Sequence, residues 1–141
     1  MDTNVLVYAR DKDNCFFRKA RSTIDKARSG KLEACISLQN LSEFYTAVTS
    51  SKQVRNPLTP EQAKKDIQEY LSYSNIEKLT IKESTLRLAI ELAEKYNIIK
   101  QDIYDTQLVA TMVENQVKKI LMVNIDDFSV FSEIEAENPF L

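Results

Sequence analysis

The chain alternates between two patterns of apolar residues, and each pattern predicts one type of secondary structure. Segments with apolar residues three and four positions apart predict amphipathic helices at residues 16–29, 39–49, 60–71, 83–96 and 102–116. Short uninterrupted apolar runs predict strands at residues 33–38, 76–80 and 120–123. The apolar run at residues 5–9 fits either the end of a buried strand or the start of a buried helix. The acidic segment that ends at Leu141 has neither pattern, and we expect a partly ordered edge there.

The order of these elements predicts one α/β domain over residues 1–141. Helices alternate with short strands, and no Asn-Gly or similar hairpin signal joins neighbouring strands. We therefore expect a parallel sheet of about four to five strands with helices on both faces, an α/β/α sandwich. Local signals support the helix boundaries. Gly30 is placed to end the first long helix, and Thr59 and Gln62 have the spacing of a capping box around Pro60.

The composition excludes several classes of site. The chain contains no histidine, so histidine bases, histidine metal ligands and Ser-His or Cys-His nucleophile pairs are excluded. The single glycine, Gly30, excludes glycine-rich phosphate loops. The two cysteines, Cys15 and Cys35, are too few for a disulfide framework or a zinc knuckle. Acidic residues must therefore carry any chemistry, and a hard divalent cation is their natural partner.

The charge balance and the hydropathy of the chain indicate which partners and which cellular compartment to expect. The chain has 21 Asp and Glu against 19 Lys and Arg, a net charge of −2. This balance argues against a broad electrostatic grip on nucleic acid, although a local basic patch or bound cations can still supply one. No run of about 18 apolar residues and no basic-then-apolar leader is present, so we expect no membrane span. Together with the low cysteine content, this predicts a cytoplasmic protein.

Polar side chains from distant parts of the chain lie where the predicted topology would gather them. Parallel strands with right-handed crossovers place their C-terminal ends at one edge, and ligands bind in the crevice outside those ends. The set consists of acids and amides near strand ends or at the edge of an inward helix face: Asp2, Asn4, Glu43, Asp105, Asn124 and Asp127. Several carboxylates in one dry crevice repel one another unless cations lie between them. Mg²⁺ or Mn²⁺ suits such an all-oxygen site.

Each of these residues also has a structural explanation that requires no ligand. Asp102 fits an N-cap, with Asp105 in the first turn of the helix, where the helix dipole favours anions. Glu43 lies off the apolar stripe of its helix, so periodicity alone places it in solvent. Asn124 and Asp127, which follow the strand at residues 120–123, are also typical of turns. Asp2 is also explained as a solvent-exposed residue at the start of the chain. The residues by themselves leave these alternatives open.

Taken in order, five segments make the chain resemble the PIN-domain family and, within it, the VapC-type toxins of toxin–antitoxin pairs. These segments are DTNVLVYA from Asp2, LQNLSEF from Leu38, NPLT from Asn56, IYDTQLVA from Ile103 and LMVNIDDF from Leu121. Any one of these motifs is weak. The ordered set covers nearly the whole chain and is fairly specific.

The resemblance implies a metal-dependent endoribonuclease that hydrolyses RNA phosphodiester bonds with water activated by Mg²⁺ or Mn²⁺. The matching catalytic positions are Asp2, Glu43, Asp105 and Asp127. Of these, Asp2 and Asp105 would hold the metal ion, and either Asn124 or Asp127 would complete the site. Polar neighbours would orient the carboxylates; they are Asn4, Ser42 and Asn124. Basic residues near the crevice would contact the RNA backbone; the candidates are Lys52 and Arg55.

The resemblance also implies partners. These are an RNA substrate, a cognate small antitoxin protein and a second copy of the chain in a homodimer. Phe16, Phe17 and Tyr70 are candidates for the dimer surface. No membrane partner is implied.

Two positions depart from the family pattern. Only Met1 precedes Asp2, where the family normally has several apolar residues that form the first central strand, so we expect a truncated N-terminal strand. Met122 stands where the family usually has Thr or Ser. The alternative function is therefore a catalytically weak or inactive PIN-like module that acts by dimerisation or by binding RNA or an antitoxin. A third alternative is a phosphate-accepting receiver domain, which also gathers acids at strand ends. That fold usually has a lysine directly after a late strand, and the presence of Asn124 at this position disfavours it.

Overall fold

The computed structural model describes residues 1–141, which form six α-helices and four short strands. The helices are α1 (Thr3–Tyr8), α2 (Phe17–Arg28), α3 (Leu38–Val48), α4 (Pro60–Ser72), α5 (Glu83–Tyr96) and α6 (Ile103–Glu114). The strands are β1 (Ala34–Ser37), β2 (Ile76–Leu79), β3 (Lys119–Leu121) and β4 (Glu135–Glu137). Short 3₁₀ turns at Lys100–Asp102 and Ile125–Phe128 precede α6 and follow β3. None of the helices has both the length and the apolar content needed to span a bilayer.

The five helices predicted from periodicity are confirmed, each to within two residues at either end. The capping box of α4 is present, because the Thr59 hydroxyl accepts from the Gln62 N–H at 3.2 Å and the Gln62 side chain accepts from the Thr59 N–H at 2.9 Å. The apolar run at residues 5–9 forms most of α1, whose Val5, Leu6 and Val7 are buried. The helical alternative for that run is therefore the correct one.

The strands form two separate parallel pairs, where the sequence predicted one sheet of four to five strands. β1 pairs with β2 over four residues, and β3 pairs with β4 over three. The start of the chain lies between the pairs. The Met1 ammonium group donates to the Cys35 carbonyl of β1 at 2.9 Å, and the Asp2 N–H donates to the Leu121 carbonyl of β3 at 2.9 Å. Because the chain enters α1 at Thr3, these two residues are too few to join the pairs through a continuous ladder.

The end of the chain is more ordered than the sequence predicted. β4 lies in the acidic segment, and Phe140 is 2% exposed with its ring stacked 4.9 Å from that of Phe16. Phe16 therefore packs within its own chain. Tyr70 is also buried, with its ring edge-on to Phe44 at 5.6 Å. Phe16 is half-buried and Tyr70 is 7% exposed, so both contribute to packing within the chain, and the dimer surface stays a prediction.

The hydrophobic core consists of two clusters. The first is built by α1, α2, α3 and the β1–β2 pair, and its buried members include Leu6, Ile24, Ile36, Phe44 and Ile76. The second is built by α5, α6 and the region around β3, and its buried members include Ala89, Val109, Met112, Ile120 and Phe131. Residues from both clusters line the cleft described below, so the cleft lies where the two halves of the core meet.

Candidate functional site

An open cleft of about 340 Å³ collects most of the polar residues singled out in the sequence. Its walls come from α1, α3, α6, the loop between α3 and α4, and the segment after β3. Twelve residues line it: Asp2, Thr3, Asn4, Glu43, Thr46, Ala47, Gln53, Asp105, Met122, Asn124, Asp127 and Phe128. Four of these carry carboxylates and none is lysine or arginine, so the wall of the cleft concentrates negative charge.

Asp2 enters the cleft from the N-terminus of α1. It is the N-cap residue of this helix, and its carboxylate accepts from the Asn4 N–H at 3.3 Å. The residue is 8% exposed. Burial is the main cause that raises the pKa of Asp2, the charge of Glu43 adds to it, and the N–H groups of Asn4 and Thr3 oppose it. Asp2 is therefore a buried acid whose charged form a nearby cation would stabilise.

Asp105 lies in the first turn of α6, as the sequence predicted, but it is not a fully solvated acid there. Asp102 makes no capping hydrogen bond with its side chain. Asp105 is half-buried and lines the cleft. Burial raises its pKa to about 6, and the charges of Glu43, Asp127, Asp2 and Asp102 contribute to the rise. The charged form of Asp105 therefore lacks compensation, which distinguishes it from a solvated helix-start acid.

Glu43 reaches the cleft from the exposed side of α3. Periodicity placed this residue off the apolar stripe, and it is indeed exposed. Both of its carboxylate oxygens nevertheless accept a hydrogen bond. The Thr3 hydroxyl donates to Oε2 at 2.6 Å, and the Gln39 side-chain amide donates to Oε1 at 2.9 Å. The carboxylate is thus held in place although the residue is accessible to solvent.

Asn124 and Asp127 come from the 3₁₀ turn after β3. Both are exposed and line the cleft, and the Asp127 N–H donates to the Asn124 carbonyl at 3.3 Å. The two residues therefore belong to the turn and also line the cleft. The charge of Asp127 is one of the causes that raise the pKa of Asp105. Asn4 also lines the cleft, although its backbone N–H makes the bond to Asp2.

The side chains of the cleft suit a hard divalent cation. Their polar groups are carboxylates, amides and hydroxyls. The oxygen atoms of such groups are the ligands that Mg²⁺ and Mn²⁺ prefer. No three acidic side chains converge into a ready-made ligand cluster. Mutual repulsion between like charges favours such a separation. The donor chemistry thus fits a divalent ion, whereas the acids remain apart.

Three residues implied by the resemblance lie outside the wall of the cleft. The Ser42 hydroxyl donates to the Leu38 carbonyl of its own helix at 3.3 Å, and Ser42 does not line the cleft. Lys52 and Arg55 are exposed on the loop between α3 and α4. Gln53, from the same loop, does line the cleft and was not singled out in the sequence.

The side chains that hold Glu43 are not among the predicted site residues. The Thr3 hydroxyl accepts from the Asn40 side-chain amide at 3.1 Å, and the Ser37 hydroxyl donates to the Asn40 amide oxygen at 2.8 Å. Asn40 is 1% exposed. One of the two contacts to Glu43 did have a signal, because Gln39 lies four residues earlier on the same helix face. The contact from Thr3 joins residues 40 positions apart and left no local signal.

A comparison with protein families agrees with this geometry. The family model described as PIN domain matches residues 1–133. The matched range includes all six helices and every residue that lines the cleft. A search of curated proteins found no matching relative.

Proposed function

We propose that this chain, which belongs to the PIN-domain family, is a metal-dependent endoribonuclease of the VapC toxin type. PIN domains are generally nucleases, and PIN-domain nucleases generally use divalent metal ions. The proposal adds three specific points to this family-level statement. The substrate is RNA, the cut is internal, and the cleavage serves a toxin role.

One observation carries the proposal: four carboxylates from separate segments line one cleft without a basic side chain among them. They are Asp2, Glu43, Asp105 and Asp127. Burial first, and then the charges of the neighbouring carboxylates, raise the pKa of Asp105 to about 6, which reflects the cost of a charged group without a counter-ion in this cleft. A divalent cation offsets that cost and uses the same oxygen atoms as ligands.

In the proposed mechanism, Asp2 and Asp105 would hold Mg²⁺ or, in its place, Mn²⁺. When bound, such an ion would lower the pKa of a water and supply positive charge near the scissile phosphate. Asp2 is a well-anchored ligand, because its N–H is bonded to Leu121 and its carboxylate to the Asn4 N–H. Asp105 is carried by the first turn of α6.

In this mechanism Glu43 accepts the proton of the water that attacks the phosphorus; the bond from phosphorus to the leaving ribose oxygen breaks, and that oxygen takes a proton from bulk water. Each of its oxygens has room for another hydrogen bond beyond those from Thr3 and Gln39. Asp127 completes the acidic site from the turn after β3, beside Asn124. Lys52 and Arg55 contact RNA phosphates outside the cleft, where they position the strand without reading its sequence.

We extend the proposal to the fold and the partners. We propose that β1 and β3 belong to one parallel sheet of an α/β/α sandwich, with Met1 and Asp2 at its central position. The protein acts in the cytoplasm as a homodimer, and a small antitoxin protein inhibits it. Sedimentation analysis tests the dimer. Co-purification with the product of a short neighbouring gene tests the antitoxin.

The experiment is an RNA cleavage assay with a matched pair of variants. Wild type, Asp105→Asn and Asp126→Asn are incubated with structured RNA in Mg²⁺, in Mn²⁺ and in a chelator. Asp126 is the matched control, because it is an exposed acid in the 3₁₀ turn after β3 and does not line the cleft. Wild type and Asp126→Asn should cleave only with metal, and Asp105→Asn should lose at least about 100-fold in rate.

Two results would contradict the proposal. Cleavage by Asp105→Asn at the wild-type rate would show that the activity does not come from the cleft. Absence of cleavage with every metal would remove the nuclease function. If the metal-free protein then still bound RNA or dimerised, the alternative of an inactive PIN-like binding module would replace it.

A further inference from the structure

Gln39 connects α3 to α6 beside the acidic cleft. Its side-chain Nε2 donates to Glu43 Oε1 at 2.9 Å and to the Tyr104 carbonyl at 3.1 Å. Its Oε1 accepts from the Gln107 side-chain amide at 3.1 Å. Both Nε2 hydrogens and the amide oxygen are therefore engaged, with partners on two helices. The Gln39 amide cannot rotate without breaking bonds to all three partners.

This bridge sets the position of Glu43 relative to Asp105. Tyr104 directly precedes Asp105 in α6, so the bond from Gln39 to the Tyr104 carbonyl ties α3 to the turn that carries Asp105. Glu43 is exposed, and an unrestrained exposed glutamate samples many rotamers. The negative charge of Asp105 would also repel it. The bond from Gln39 opposes both effects.

Thr3 holds the other oxygen of the same carboxylate. Its hydroxyl donates to Glu43 Oε2 at 2.6 Å and is itself supported by the buried Asn40. Glu43 is thus fixed from the α1 side by Thr3 and from the α6 side by Gln39. Loss of the Gln39 amide would leave the carboxylate attached through Oε2 alone, free to turn about that bond.

We propose that Gln39 is a positioning residue. By bridging α3 and α6, it orients the Glu43 carboxylate toward the attacking water in the cleft. The inference rests on the proposed nuclease function, because the position of Glu43 affects the rate only if Glu43 handles the attacking water. Gln39 acts through Glu43 and not through the substrate. Its removal should therefore lower kcat and leave KM nearly unchanged.

The test is a double-mutant cycle on metal-dependent RNA cleavage, with Gln39→Ala, Glu43→Gln and the double variant. Gln39→Ala should lower kcat by about 10-fold to 100-fold, with KM within about twofold of wild type. In the Glu43→Gln background the same substitution should change kcat by less than about twofold, because the group that Gln39 positions has already been altered. Gln68→Ala, which removes an exposed glutamine from α4, is the matched control and should match wild type.

Two further measurements separate positioning from a general loss of structure. Titration calorimetry with Mn²⁺ should give Gln39→Ala an affinity within about threefold of wild type, because Asp2 and Asp105 hold the ion. Gln39→Met keeps the length of the side chain and removes the amide, so it tests the same point if the alanine variant does not fold. Gln107→Ala should also lower kcat, by a smaller factor, since it frees one side of the Gln39 amide.

Three outcomes would overturn the proposal while wild type remains active. These are an unchanged kcat in both Gln39 variants, an equal loss of kcat in the Glu43→Gln background, and a rise in KM without a fall in kcat. The last outcome would mean that Gln39 contacts the RNA directly. A wild-type protein with no metal-dependent cleavage would overturn the proposed function itself, and this inference with it.

Discussion

Replacement of Asp105 by asparagine should stabilise the metal-free protein. Asp105 is half-buried in a cleft that also holds Asp2, Glu43 and Asp127, and no basic side chain lines that cleft. Asparagine has nearly the same size and no charge. The substitution therefore removes both the repulsion and the cost of burying a charged group.

The magnitude follows from the pKa of Asp105, which folding raises from 3.8 to about 6. A difference of about two units corresponds to about 3 kcal/mol, and solvent screening of this half-exposed group reduces the effect to about 1 kcal/mol. Because the folded-state pKa is the higher one, the stability contributed by the protonated form is fully present below about pH 4 and is lost as the pH rises through about 6. Asp105→Asn should thus exceed wild type by about 1 kcal/mol at about pH 7.5 and match it near pH 4.

The assay is urea unfolding followed by circular dichroism, in a chelator, at several values between about pH 4 and pH 8. The difference between wild type and Asp105→Asn isolates one group, because all other acids titrate in both proteins. Asp126→Asn removes an exposed acid of the neighbouring turn and should change the free energy of unfolding by less than about 0.5 kcal/mol.

Divalent ions should reverse the order of stability. Mn²⁺ at about 100 times its dissociation constant should stabilise wild type by about 2.7 kcal/mol, and it should stabilise Asp105→Asn far less. Two results would refute the reasoning. One is an Asp105→Asn protein that is less stable than wild type in chelator at about pH 7.5. The other is a difference in stability that stays constant across the pH range.

Three further perturbations test other features of the molecule. Thr59→Ala removes the capping box of α4 and should lower the free energy of unfolding by about 1 kcal/mol in urea titrations; no change would mean that the cap is not formed in solution. Phe140→Ala removes a ring that is 2% exposed, and it should cost about 3 kcal/mol. A cost below about 1 kcal/mol would show that the segment around Phe140 does not pack against the core in solution. Addition of Val-Ile-Val before Met1 places backbone between β1 and β3, and it should slow amide hydrogen exchange in both strands. Unchanged exchange would contradict the proposal that β1 and β3 belong to one sheet.

Local signals explain why the helices were predictable from the sequence. Each long helix buries one face, so its apolar spacing is visible within the segment itself. The capping box needs only Thr59 and Gln62, three residues apart. The run at residues 5–9 was ambiguous because it is short and apolar, and the structure adds the missing information. The carboxylate of Asp2 accepts the Asn4 N–H and so begins a helix there.

Long-range contacts explain what the sequence did not predict. The division of the sheet depends on single backbone bonds from Met1 and Asp2, and β4 has no apolar run that would reveal it. The acids of the cleft were identified because ordered motifs mark their positions. Ser42 lies in the same motif as Glu43, but one residue of rotation along α3 directs its hydroxyl to the Leu38 carbonyl. Spacing within a motif does not determine which side of the helix faces the cleft.

Titration calorimetry with Mn²⁺ tests most directly whether the carboxylates of the cleft form a divalent cation site. Metal-free wild type and Asp126→Asn should bind Mn²⁺ with a saturable isotherm, and Asp105→Asn should lose at least about 10-fold in affinity. Equal binding by all three proteins, or no binding by wild type at millimolar Mn²⁺, would contradict the assignment of the cleft as a metal site.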